Sequence, residues 1–195
     1  MWAAVFALHW PSPEAFRGAI FLAIIFGISI SDARFYVIPD QFSIGGTLVG
    51  ILLAVLPGGI DIVASVIGAV LGFSMLWFVG ISGTWLIKKI SPHRLERVGV
   101  DQAMGGGDIK TSMMIGAFVG VEGIALTVFI ASALAIVIAL ARSIPAALAR
   151  NEDDDMEMGG LIPFGVFMAG GGAISYVWGD AMVAWYVKSL FGVAG

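Results

Sequence analysis

The chain has 195 residues, 59% of them hydrophobic and only 12% charged, too little polar surface to solvate a compact water-soluble domain of this length. Its net charge of -4, with many of the acids gathered in one short run, lacks the basic footprint of a nucleic-acid binder. With no cysteine there are no disulfides, thiolate metal sites or thiol nucleophile, and His9 and His93 fall outside any zinc-protease spacing, so neither a metal nor another cofactor is expected.

A helix crosses roughly 30 Å of hydrocarbon with about 20 apolar residues, so this length predicts about six spans in one transmembrane domain over residues 1–195. Residues 1–10 are apolar but lack a basic leading region and a small-residue cleavage site, and read as an interfacial lead-in. The first span covers 14–31 and ends at Asp32-Ala33-Arg34. A second follows Ile38-Pro39-Asp40 and stops before Pro57-Gly58-Gly59, and a third, over 60–87, closes on Lys88 and Lys89. A polar loop carrying His93, Arg94 and Arg97 leads through Gly105-Gly106-Gly107 to Asp108 and a short fourth span over 109–119. The fifth covers 123–141, an acidic run occupies 151–157, and the sixth covers 161–177. Trp178-Gly179-Asp180 predicts a turn into a last interfacial or re-entrant stretch, 181–191. The fold class is therefore an all-α integral membrane protein.

Six alternating spans put Arg34, Lys88, Lys89, Arg94, Arg97, Lys110, Arg142 and Arg150 on one side, eight of the ten Lys and Arg residues. By the positive-inside rule that side is the cytoplasm. Arg17 and Lys188 lie near segment ends, where long side chains reach the interface. Gly46-x3-Gly50, Gly68-x3-Gly72 and Gly116-x3-Gly120 read as helix-packing positions.

Ionisable groups at membrane depth are costly and point to function. Asp32 closes the first span and Asp108 opens the fourth, so two carboxylates 76 positions apart (108 minus 32) fall at a similar cytoplasmic depth. Two acids meeting in a partly dry pocket share a proton and form the minimum apparatus of an aspartic protease. One draws a proton from water while the other donates to the scissile carbonyl. Gly105, Gly106 and Gly107 add conformational freedom and room for a substrate strand. The residues alone also allow Asp108 as a helix N-cap and Asp32 as an interfacial charge. A proton-coupled transporter using paired carboxylates and a non-catalytic membrane scaffold are the rival classes. Asp40, after Pro39, reads as a cap of the second span, Lys110 as a group that orients the acids or as an ordinary inside-facing lysine, and Asp61, Glu122 and Asp180 as outer interfacial charges.

Three blocks resemble type IV prepilin peptidases, in that family's order. Gly105-x-Gly107-Asp108-x-Lys110 is similar to its GxGD signature with the following lysine. Asp32 followed by Ile38-Pro39-Asp40 resembles its other aspartate block, and Leu161-Ile-Pro163-Phe-Gly165 its Ile-Pro-Phe-Gly segment. The resemblance implies a membrane-embedded aspartic endopeptidase of a bacterial inner membrane, multi-pass, its site facing the cytoplasm. Its catalytic residues would be Asp32 and Asp108, with Gly105, Gly106, Gly107, Lys110, Asp40 and Pro163 shaping the site. Its partners would be the bilayer and pilin-like precursors with a basic leader and a hydrophobic helix, with no nucleic acid. Members that also methylate the new N-terminus carry an extra region, often with paired cysteines, and the expectation for this chain is the protease alone.

Overall fold

The computed structural model describes residues 13–56, 60–90, 102, 104–149 and 163–192. The lead-in over 1–10 and the acidic run over 151–157 lie outside the described residues. Among the described residues five helices carry the fold: α1 (Pro13–Phe35), α2 (Asp40–Leu53), α3 (Ile62–Ile90), α4 (Gly106–Ala149) and α5 (Phe164–Phe191). Among the described residues there is no strand, as the expected all-α class requires.

The outer surface is apolar. Phe26, Phe78, Trp85, Phe129 and Trp185 are each more than half exposed, a coat that water penalises and lipid tails accept. Pro13–Phe35, Ile62–Ile90 and Gly106–Ala141 are long and apolar enough to cross a membrane. α2, with 14 residues, rises only about 21 Å and is shorter than a span needs by itself.

α4 is broken inside its length. Gly120 has φ 72° and ψ −167°, outside the helical region, a conformation glycine adopts without a Cβ penalty. The break reverses the chain. A Cβ on Gly172 would meet Ile115 at 3.1 Å, while one on neighbouring Gly171 would meet the Thr127 carbonyl at 2.7 Å. In a straight helix residues 115 and 127 would be ~18 Å apart, so only a chain that doubles back brings both to adjacent positions of α5. The expected boundary between the segments 109–119 and 123–141 falls at this glycine.

Close backbone approach holds the pieces together, as expected where lipid removes the hydrophobic drive for helices to associate. α3 runs antiparallel to the first half of α4. Gly68 abuts Gly116 and Gly120, Gly72 abuts Ser112, and Ser112 Oγ donates to the Gly72 carbonyl at 2.9 Å. α2 runs parallel to that half, with Gly46 on Met114 and Gly50 on Phe118, so the three glycine pairs read from the sequence are packing contacts. α1 lies antiparallel to α5, and the rings of Phe21, Phe118 and Tyr176 stack at centroid distances of 4.9 and 5.1 Å in the core.

Two expectations are corrected. Trp178-Gly179-Asp180 is not a turn: α5 continues to Phe191 and ends on Gly192, whose φ of 58° is left-handed. One glycine inside a helix costs only about 1 kcal/mol relative to alanine and does not by itself end it. Arg17 does not reach outward to the interface. It is 3% exposed, and its Nη2 donates to the carbonyls of Ala117 and Phe118, each at 3.0 Å. Those carbonyls face the break at Gly120, where helical partners are lost, and Arg17 supplies replacements while its guanidinium lies over the Phe118 ring at 5.6 Å.

Candidate active site

Three chain segments converge at the end of the bundle opposite Arg17: the end of α1, the start of α4 and the start of α5. α1 ends because Tyr36 takes a left-handed φ of 52°, its N–H still reaching the Asp32 carbonyl at 3.0 Å. Ser31 Oγ donates to the Val37 carbonyl at 2.6 Å and braces the turn. Pro39 keeps the preceding Ile38 out of the helical region and sits at φ −64°, ψ 137° before α2. Asp32 is thereby held one turn inside α1, 6% exposed, and its Oδ2 has no hydrogen-bond partner.

Gly165, in the first turn of α5, lies directly against that carboxylate. A Cβ there would stand 2.8 Å from Asp32 Oδ2 and 3.0 Å from Ile38 Cδ1. Pro163 occupies the N-cap of α5 with no side-chain cap, and its carbonyl accepts from Val166 N–H at 3.3 Å, so it fixes the turn that presents Gly165.

Asp108 stands in the first turn of α4, its N–H donating to the Gly105 carbonyl at 3.2 Å. It is thus inside the helix and not its N-cap. The preceding glycines provide space, not left-handed backbone: among the described glycines only Gly120 and Gly192 have positive φ. Gly107 packs on Ile38, where a Cβ would come within 3.1 Å, whereas a Cβ on Gly106 would meet nothing within 4 Å. Ile38 therefore touches both Gly107, next to Asp108, and Gly165, on Asp32. Ile38 thus brings the segments that carry the two carboxylates to one place.

Asp40 and Lys110 are beside this pair and not within it. Pro39, not Asp40, takes the cap position of α2, with no side-chain cap, so the reading of Asp40 as a cap is corrected. Its Oδ1 instead accepts from Lys110 Nζ at 2.7 Å, joining the starts of α2 and α4 in a pair with side chains 61% and 37% exposed. Asp61 lies at the far end, its Oδ2 accepting from Val63 N–H at 3.0 Å as a local turn into α3. Among the described residues no three metal-ligating side chains gather.

Ile38 and Gly165 were not singled out as site residues from the sequence. The available signal was that each sits inside a block already quoted, one position before Pro39 and two after Pro163.

Helices with a lipid-compatible coat and two acids toward one end of the bundle define a multi-pass helical membrane protein. The chain belongs to the type IV leader peptidase family, which it matches over residues 19–140. It is similar to proteins named prepilin leader peptidase/N-methyltransferase. That of Pseudomonas putida is 28% identical over 160 residues, 82% of this chain and 49% of the relative. That of Aeromonas salmonicida is 26% identical over 167 residues, 86% and 50%, and that of Bacillus subtilis 25% over 182 residues, 93% and 63%. The chain spans about half the length of most of the curated relatives it matches. No solved structure matches it.

Proposed function

We propose that this chain is a membrane-embedded aspartic endopeptidase that removes the leader from pilin-like precursors at the cytoplasmic face of a bacterial inner membrane, in a bundle of about six spans. The observation that supports the reading is that Ile38 packs both on Gly107, next to Asp108, and on Gly165, which lies against Asp32, so that segments far apart in sequence bring the two acids to one end of the bundle. With one proton between them, the ionised carboxylate takes a proton from water as its oxygen attacks the scissile carbonyl, and the protonated one donates to the developing oxyanion. Breakdown of the tetrahedral intermediate passes a proton to the leaving amine. The open space over Gly106 lets an extended peptide approach the main chain beside Asp108, and membership of the type IV leader peptidase family supplies the substrate class.

The test is cleavage of a synthetic precursor by the reconstituted full chain. Asp32→Asn and Asp108→Asn are each expected to lose about 10²–10⁴-fold in kcat, the usual worth of a positioned acid or base, with precursor binding retained. A variant that still cuts at near the wild-type rate removes that aspartate from the mechanism. A wild-type chain that leaves every precursor whole favours a transporter-like use of the pair.

A further inference from the structure

A groove of about 500 Å³ opens between α1 and α5 on the apolar outside of the bundle, lined by Leu22, Phe26 and Ser29 on one side and by Val166, Gly170 and Ala173 on the other. Its two walls are helical stripes that point at the site. Continuing the α1 stripe at three- and four-residue steps reaches Asp32, and continuing the α5 stripe reaches Pro163. The lining ends at Ser29 and Val166, one helical turn from Asp32 on α1 and next to Gly165 on α5, where the buried Asp32 Oδ2 has no hydrogen-bond partner.

Gly170 separates this groove from ordinary packing. Its neighbours are bare because the bundle needs them so: Gly171 would clash with the Thr127 carbonyl at 2.7 Å, and Gly172 would crowd Ile115 at 3.1 Å. A Cβ on Gly170 would meet nothing within 4 Å, so no atom of the bundle requires glycine there. A glycine beside an alanine one turn on is the floor that lets another helix backbone come close. A lipid chain needs no such floor.

We propose that this groove receives the apolar helix of the substrate, lying along α1 and α5 in the bilayer, so that the peptide bond at the helix's inner end arrives at Asp32. This rests on the protease reading and adds where the membrane part of the substrate binds. Roughly two helical turns of contact, residues 22–29 against 166–173, hold it in register while the junction beyond them unwinds at the acids.

The chain has no cysteine, so Gly170→Cys supplies a single thiol, and Gly45→Cys on α2, where a Cβ also meets nothing within 4 Å, supplies a control. Both are made in the Asp32→Asn chain, which holds the precursor uncut, reconstituted in vesicles. The probe is a synthetic precursor with a basic leader, a glycine junction and an apolar helix carrying one cysteine two turns past the junction. Oxidation is expected to cross-link it to position 170 and not to 45. In the otherwise wild-type chain, Gly170→Trp is expected to raise KM for this precursor roughly tenfold, the scale of an overpacked contact, with kcat and cleavage of a short junction peptide lacking the helix unchanged. Cross-linking at 45 as strong as at 170, none at 170, or an unchanged KM in Gly170→Trp overturns the docking site, and a groove that only holds lipid gives the latter two. Cross-linking at 170 by a chain whose wild type never cuts upholds the docking and removes the hydrolysis, so the two readings fail separately.

Discussion

A methyl group added at Gly165 would stand 2.8 Å from Asp32 Oδ2 and 3.1 Å from its carboxyl carbon. The carboxylate is buried and cannot retreat into solvent, so it must rotate or α5 must shift. Gly165→Ala is therefore expected to lower kcat by roughly 10–100-fold, as small misplacements of a reacting group do, with KM little changed. The same methyl at Gly45, which faces open space, serves as the control, and equal kcat values for the two variants would refute the contact as a constraint on chemistry. Lys110 and Asp40 make the opposite case. Their pair is largely exposed, and such pairs contribute about 0.2–1 kcal/mol. Lys110→Met and Asp40→Asn should each lower the thermal midpoint by a few degrees at most and slow cleavage less than about threefold; a hundredfold loss would put Lys110 among the reacting groups. Both acids were legible in the sequence because a charge beside an apolar span stands out. Ile38 and Gly165 carry no such mark: an isoleucine or a glycine acquires its role from what the fold sets against it.

Breaking α4 at Gly120 lets two helices share one stretch of chain, and it strands carbonyls in the bundle interior. Arg17 donates to two of them, while Ser65 Oγ also donates to the Ala117 carbonyl at 2.6 Å. Arg17→Leu leaves the Phe118 carbonyl without that donor, a loss of about 1–3 kcal/mol for a buried group, besides the contact with the Phe118 ring. Thermal unfolding in detergent should show wild type as most stable, Arg17→Lys as intermediate because one ammonium cannot fork to both carbonyls while covering the ring, and Arg17→Leu as least. Equal midpoints for wild type and Arg17→Leu would mean that the break is held by other groups. The glycine spacings announced the α3 and α4 contact because small residues every four positions form a continuous strip on a helix. Arg17 was misread because its place near a helix start is equally that of a residue reaching outward, and only the reversal at Gly120 provides inward acceptors. The same gap explains Gly179, whose fate in a continuous helix depends on neighbours that the local sequence does not specify.

At the scale of the molecule, the family match ends at residue 140, yet the floor under Asp32 comes from Pro163 and Gly165. The acid site is thus completed by the last helix folding back along the first, a juxtaposition that topology produces and no single block of residues encodes. Charge adds a longer-range element. If the spans alternate as the sequence predicts, eight of the ten Lys and Arg residues fall on the side of the two acids, where they would repel a basic leader. On the same expectation Glu152, Asp153, Asp154, Asp155 and Glu157, five acids in the sequence between α4 and α5, would offset that repulsion. The range of this field depends on salt, with a Debye length of about 30 Å at 0.01 M and about 10 Å at 0.1 M. Replacing the five acids by Asn and Gln should therefore raise KM for a precursor with a basic leader at 0.01 M salt, less at 0.1 M and little at 1 M, where screening is nearly complete. A precursor with a neutral leader should show no difference at any salt, because steering acts on charge and not on the apolar helix. A KM shift that is independent of salt, or equal for both leaders, would assign the run to the structure of the connection and not to attraction of the substrate.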